Sequence, residues 1–145
     1  VRTFKDEDPP PGLIEERLVD PSVPGFNIAQ VLRAVTEYKA IAEGDTFDLQ
    51  PGQSILSTTH ERVTLPPHLC ARVEGRSSLA RLGLTVHNTA PFIHPGYSDY
   101  ITLEMHYTGK VPLRLTPVKL KVCQLMVERV ASPPLEPYPG SYRQQ

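Results

Sequence analysis

The chain has 145 residues, 39% of them hydrophobic and 21% charged, with a formal net charge of -1 at pH 7. That length supports one domain, spanning residues 1–145, with a real core. The balanced charge gives no reason to expect nucleic acid or an anionic membrane surface as a partner, so any anion site must be a local cluster of basic groups.

Pro is abundant, with 16 residues spread along the chain. That density breaks long helices and suits short strands joined by turns. Residues 6–26 carry Pro9, Pro10, Pro11, Pro21 and Pro24 and read as a loop or arm. Asn27 is placed to cap a short helix through Ile28, Val31 and Leu32. Strand signals dominate from Val35 onward. Residues 35–41 mix β-branched and aromatic residues with polar ones, and Phe47-Asp48-Leu49 leads into the turn Pro51-Gly52. Residues 54–59 form a further candidate strand, and Val63-Thr64-Leu65 another that stops at Pro66-Pro67. Residues 69–73 run into a turn at Gly75. Residues 100–107 alternate cleanly: Ile101, Leu103, Met105 and Tyr107 share one face, and Tyr100, Thr102, Glu104 and His106 the other. Residues 119–127 are strand-like, and residues 133–145 form a tail rich in Pro, Tyr and Gln. Many short strands with turns between them predict an all-β barrel or sandwich with short helices. Cys70 and Cys123 lie in apolar strand-like segments and read as buried free thiols rather than a disulfide. With no bilayer-length apolar run and no secretory leader expected, the expected location is cytoplasmic.

Three segments carry chemistry. The first is Gly75-Arg76-Ser77-Ser78-Leu79-Ala80-Arg81-Leu82-Gly83-Leu84. Glycine lets a backbone come close, hydroxyls donate hydrogen bonds and guanidiniums pair with phosphate oxygens, which together describe a phosphate cradle. Taken without the rest of the chain, the string reads first as a capped short helix, with Ser77 at its N-cap and Leu79, Leu82 and Leu84 in the core. The second is Glu104, by alternation a solvated strand carboxylate, but a proton shuttle if a closed pocket surrounds it. The third is residues 86–97, an irregular stretch with the turn Pro95-Gly96, whose backbone at Asn88, Thr89 and Ala90 could meet the edge of a flat base. None of the 5 histidines has metal-binding spacing, no CxxC pair exists, and the zinc-deaminase signature is absent, so no metal ligands are assigned.

Residues 47–127 resemble the dCTP deaminase family of the dUTPase-like superfamily. The likeness runs through Pro51-Gly52, residues 57–63, residues 72–81, residues 93–97, Ile101-Thr102-Leu103-Glu104 and Val122-Cys123-Gln124-Leu125, in order. The resemblance implies a distorted jelly-roll β-fold in a homotrimer with active sites between subunits. It also implies zinc-independent deamination of dCTP to dUTP, with magnesium carried on the triphosphate. By position, Glu104 resembles the general acid/base, and Ser77 and Arg81 the residues that hold water and base. Arg76, Ser78 and Gln124 resemble the phosphate binders, and residues 88–90 the base pocket. Tyr142 and Gln145 resemble a C-terminal lid within residues 133–145. Ligands related to dCTP, dUTP and dTTP among them, fall in the same class.

The sequence departs from the family at three places. His94 stands where the family has Asp, a residue that contacts the sugar hydroxyl and in dUTPases orients water. Ser98-Asp99-Tyr100 replaces a small-residue turn. The family's N-terminal segment is expected to be missing, with residues 1–4 as its remnant. Two alternatives stay open beside dCTP deamination: a catalytically degenerate nucleotide-binding member, and a dUTP diphosphatase or bifunctional enzyme.

Overall fold

Alternation of apolar and polar residues builds the longest strands and sets which way they face. In the computed structural model, which describes residues 1–5 and 19–136, ten strands and two short helices follow in chain order. They are β1 (Arg2–Phe4), α1 (Ile28–Val35), β2 (Thr36–Tyr38), β3 (Phe47–Leu49), β4 (Ser54–Thr64), β5 (Leu69–Gly75), α2 (Ser77–Ala80), β6 (Leu84–Thr85), β7 (Phe92–Ile93), β8 (Ser98–Tyr107), β9 (Leu113–Leu115) and β10 (Cys123–Arg129). They form a five-stranded sheet in the order β2-β1-β4-β8-β6, a three-stranded sheet β10-β5-β7 and a two-stranded ribbon β3-β9. Every neighbouring pair is antiparallel.

One core joins the three sheets. Ile101, Leu103, Met105 and Tyr107 of β8 turn inward with Ile55 of β4, Ala71 and Val73 of β5, Ile93 of β7, and Phe47, Leu49 and Leu115 of the ribbon. Burying a side chain of this size contributes about 1.5–3 kcal/mol, so these positions dominate the fold's stability. The mainly β architecture agrees with the sequence reading. Among the described residues, no helix is long and apolar enough to cross a membrane.

The structure redraws several boundaries. Asn27 does cap α1, its side chain accepting from the amides of Ala29 and Gln30. The helix then takes Val35, leaving β2 only Thr36–Tyr38 of the expected strand. The two expected strands, residues 54–59 and 63–65, join in one continuous β4 that ends at Thr64, with a bulge between Thr58 and Arg62, and Leu65 lies just past it. The Thr59 hydroxyl makes the bulge possible: it accepts the Ile101 amide at 3.0 Å and donates to the Glu61 carbonyl at 2.8 Å. Those groups would otherwise lose partners where the ladder slips. The last strand runs over Cys123–Arg129, because residues 117–120 form a turn in which Val118 has φ 66. Cys70 is buried and Cys123 half-buried, both free. Most of the expected arm and of the C-terminal tail, including Tyr142 and Gln145, lies outside the described residues.

Candidate active site

Glu104 sits in the middle of β8, opposite Leu56 of β4. The strand's alternation turns its neighbours Leu103 and Met105 into the core and leaves Glu104 half-buried on the opposite face. The backbone amide of Asn88 donates to its Oε2 at 3.3 Å. That contact spans 16 residues of sequence and exists because β6 pairs with β8 and then releases the chain at Val86 to turn back over the strand. Asn88, Thr89 and Ala90 are exposed beside the carboxylate's amide partner. A carboxylate so held has one oxygen oriented and the other available to exchange a proton.

The Arg76–Arg81 segment follows the end of β5. Here the helix reading needs correction: α2 is Ser77–Ala80 with Arg76, not Ser77, at its N-cap, and no side chain caps it. Leu79 and Leu84 are buried, as expected, but Leu82 is 54% exposed. A helix of one turn adds little dipole, so any anion attraction here comes from side chains. Arg76 donates from one guanidinium nitrogen to the Lys121 carbonyl at 3.0 Å, which fixes its side chain while its other N–H groups stay available. Ser77, Ser78 and Arg81 are exposed and make no side-chain hydrogen bond or ion pair with another described residue.

Gln124 joins this segment through strand pairing. β10 runs antiparallel to β5 with Cys123 opposite Gly75 and Gln124 opposite Glu74. An exposed amide therefore stands beside the end of β5 from which Arg76, Ser77 and Ser78 project. The two halves of the site are thus built separately: Glu104 and residues 88–90 on the five-stranded sheet, the basic and hydroxyl groups at the end of the three-stranded one. No hydrogen bond or ion pair between described residues of the chain joins Glu104 to Ser77 or Arg81. His94 follows β7, exposed, its ring edge-to-face with the Phe92 ring at 5.0 Å between ring centroids.

Sequence reasoning missed two contributors, the Asn88 amide and the Lys121 carbonyl. Both are backbone groups, so no residue type announces them. Only the pairings of β6 with β8 and of β10 with β5 bring them into place.

The chain's similarities bear on this arrangement. A family model described as dCTP deaminase-like matches residues 16–130. A Corynebacterium diphtheriae protein named "dCTP deaminase, dUMP-forming" is 46% identical over 104 residues, covering 72% of this chain and 55% of its own length. A Halobacterium salinarum protein of the same name is 49% identical over 104 residues, 72% of this chain and 52% of its own length. A Colwellia psychrerythraea protein named "dCTP deaminase" is 41% identical over 138 residues, 94% of this chain and 66% of its own. The chain thus spans about half the length of the first two relatives and 66% of the third. Among solved structures, native EIAV dUTPase superposes with a TM-score of 0.53 at 22% identity, over 68% of this chain and 78% of that one, a likeness of fold. The β architecture is therefore a dUTPase-like one, and the chain belongs to the dCTP deaminase-like family.

Proposed function

We propose that this chain deaminates dCTP hydrolytically, with Glu104 as general acid/base. The observation that carries the reading is the Asn88 amide on Glu104 Oε2, which sets a half-buried carboxylate against an exposed, irregular backbone segment able to line a flat base. Water is a poor nucleophile at neutral pH and needs a base. Glu104 takes one proton from water as its oxygen bonds to C4 of the cytosine, and passes that proton to ring N3. It then carries the second proton to the exocyclic amine; the C4–N bond breaks and ammonia leaves, giving the uracil base. Ser77 and Arg81 hold and polarise the water and base, and a preorganised, drier pocket lowers the barrier further.

Arg76, Ser78 and Gln124 meet the phosphates, and Arg76 arrives already anchored on Lys121. Magnesium enters as part of the substrate, ligated by phosphate oxygens. Among the described residues no three His, Cys, Asp or Glu side chains converge as ligands, and the reading assigns water activation to Glu104, with no step given to zinc. His94 meets the sugar as a neutral or cationic group where the family pattern places a carboxylate. Tyr142 and Gln145, which the resemblance assigns to the triphosphate, lie outside the described residues. Because Ser77 and Arg81 have no bond to Glu104 within the chain, the reading brings them together across the subunit boundaries of a homotrimer.

A second reading is favoured by the names of several relatives: deamination followed by hydrolysis to dUMP. The test is incubation with dCTP and magnesium, with the products separated by chromatography. dUTP supports deamination alone, and dUMP supports the two-step reading. Unchanged dCTP from folded, trimeric protein overturns both in favour of a binding protein without turnover.

A further inference from the structure

A second cationic locus lies on the face of the five-stranded sheet that carries Glu104. Tyr38, Arg2, Leu56 and Glu104 stand directly opposite one another across β2, β1, β4 and β8, so their side chains share that face. The cleft between this face and α1 encloses about 120 Å³. Its floor is Leu56 with the directly opposed pair Thr58 and Thr102. Leu32 and Arg33 of α1 line one side, and Arg2 and Tyr38 line another. Among the described residues, no Asp or Glu lines it. Arg2 lies over the Tyr38 ring, its Cζ 5.9 Å from the centroid. That contact holds the guanidinium without using its N–H groups. Among the described residues, neither Arg2 nor Arg33 pairs with a carboxylate, and the Thr58 and Thr102 hydroxyls make no hydrogen bond.

We propose that this cleft binds a phosphate group, in addition to the cluster of Arg76, Ser78 and Gln124. The donors decide the class of ligand. One guanidinium fork already satisfies both oxygens of a carboxylate. Two forks and two hydroxyls exceed what a carboxylate accepts and suit the three terminal oxygens of a phosphate. Its charge near neutral pH approaches that of a dianion, which two guanidiniums balance. Leu32, Leu56 and the Tyr38 ring keep part of the wall apolar, and a less polar surround strengthens charge-assisted bonds. The enclosed volume takes a phosphate and little more, so the rest of a larger ligand projects into solvent. Leu56 stands between Arg2 and Glu104, whose strands are two spacings apart, about 10 Å. The guanidinium is therefore available to a ligand and is not spent on the carboxylate. The phosphate comes from one of two sources: a nucleotide whose base lies against Glu104, or a separate phosphorylated small molecule. The inference stands on the cleft's own donors and does not require Glu104 to catalyse.

The test is a titration of the full chain with inorganic phosphate, following the Leu32 and Thr102 methyl signals by NMR. The expected result is a saturable shift of both. Arg33→Ala weakens the affinity about tenfold, and Arg33→Lys weakens it less, because a charge remains without the fork. Arg33 is exposed on α1 and Ala is the better helix former, so the loss reads binding and not unfolding. Thr102→Val, of equal volume without the hydroxyl, gives a smaller loss. Arg76→Ala leaves the shifts in place, and acetate does not produce them. Methyl signals that stay still, an unchanged Kd in Arg33→Ala, or an equal response to acetate overturns the proposal. Titration with dCTP then names the source. A Leu32 shift that weakens in Arg33→Ala assigns the phosphate to the nucleotide. A Leu32 signal that dCTP leaves still, while inorganic phosphate moves it, assigns it to a separate phosphorylated compound. Both outcomes support the site. Protein that binds phosphate here and never deaminates dCTP overturns the deaminase reading and leaves this one standing.

Discussion

Glu104 owes its orientation to one amide, that of Asn88, and its half-buried position to core residues on either side of it in β8. Replacing it by Gln keeps the shape and the acceptor oxygen but removes the exchangeable proton. Glu104→Gln is expected to cut deamination by about a thousandfold or more while dCTP binding, followed by calorimetry, changes little. Wild-type turnover in this variant would remove Glu104 from the mechanism. His94 poses the opposite question, because its imidazole brings a donor where the family pattern has a carboxylate. If the carboxylate is the better sugar ligand, His94→Asp tightens deoxynucleotide binding. A weaker Kd from the same titration would give His94 a role of its own, supported by its edge contact with Phe92.

At the scale of elements, two devices hold the strands that carry the site. The turn after α2 ends at Gly83, with φ 99, where an added Cβ would lie 2.7 Å from the Gly109 amide nitrogen and 2.9 Å from Thr108 Oγ1. Thr108 also donates its amide to the Gly83 carbonyl at 2.9 Å. That contact ties the segment carrying Arg81 to the end of β8, three residues past Glu104. Gly83→Ala combines backbone strain with a collision against backbone, and is expected to lower unfolding free energy by about 2 kcal/mol or more, read from the denaturant midpoint. A midpoint equal to wild type would show that the turn relaxes freely. The bulge in β4 is the second device. Thr59→Val keeps the volume but leaves the Ile101 amide without its acceptor, at a cost of about 1–2 kcal/mol. Thr59→Ser, which retains the hydroxyl, should recover most of that loss in the same melt.

On the scale of the whole molecule, the fold holds Glu104 on one sheet and the cluster of Arg76, Ser77, Ser78 and Gln124 at the end of another, with the side chains of Ser77 and Arg81 uncommitted among the described residues. If each site is completed by a neighbouring subunit, two inactive variants can complement each other. Glu104→Gln and Arg81→Ala, dead separately, should regain a fraction of wild-type deamination when unfolded and refolded as a mixture, because some mixed trimers contain an intact site. Activity that stays at background in a mixture shown to be trimeric would place Glu104 and Arg81 in one subunit's site.

Much of this was legible along the chain. Side-chain alternation has a period of two, so residues 100–107 alone revealed the buried face of β8 and the outward set that includes Glu104 and His106. Asn27 announced α1 because an N-cap is a local hydrogen bond. The order of short motifs carried the family. What the sequence left open were relations between distant segments. Whether residues 54–59 and 63–64 were one strand depended on Thr59 meeting the Ile101 amide, 42 residues away. That Arg76 would be anchored depended on the Lys121 carbonyl, 45 residues away. Local periodicity is written in neighbouring side chains, and so the sequence by itself determined the β class, the core face and the kinship. Register between strands, the path of a turn and the reach of a backbone amide are settled only when the whole core packs, and these decided which groups surround Glu104.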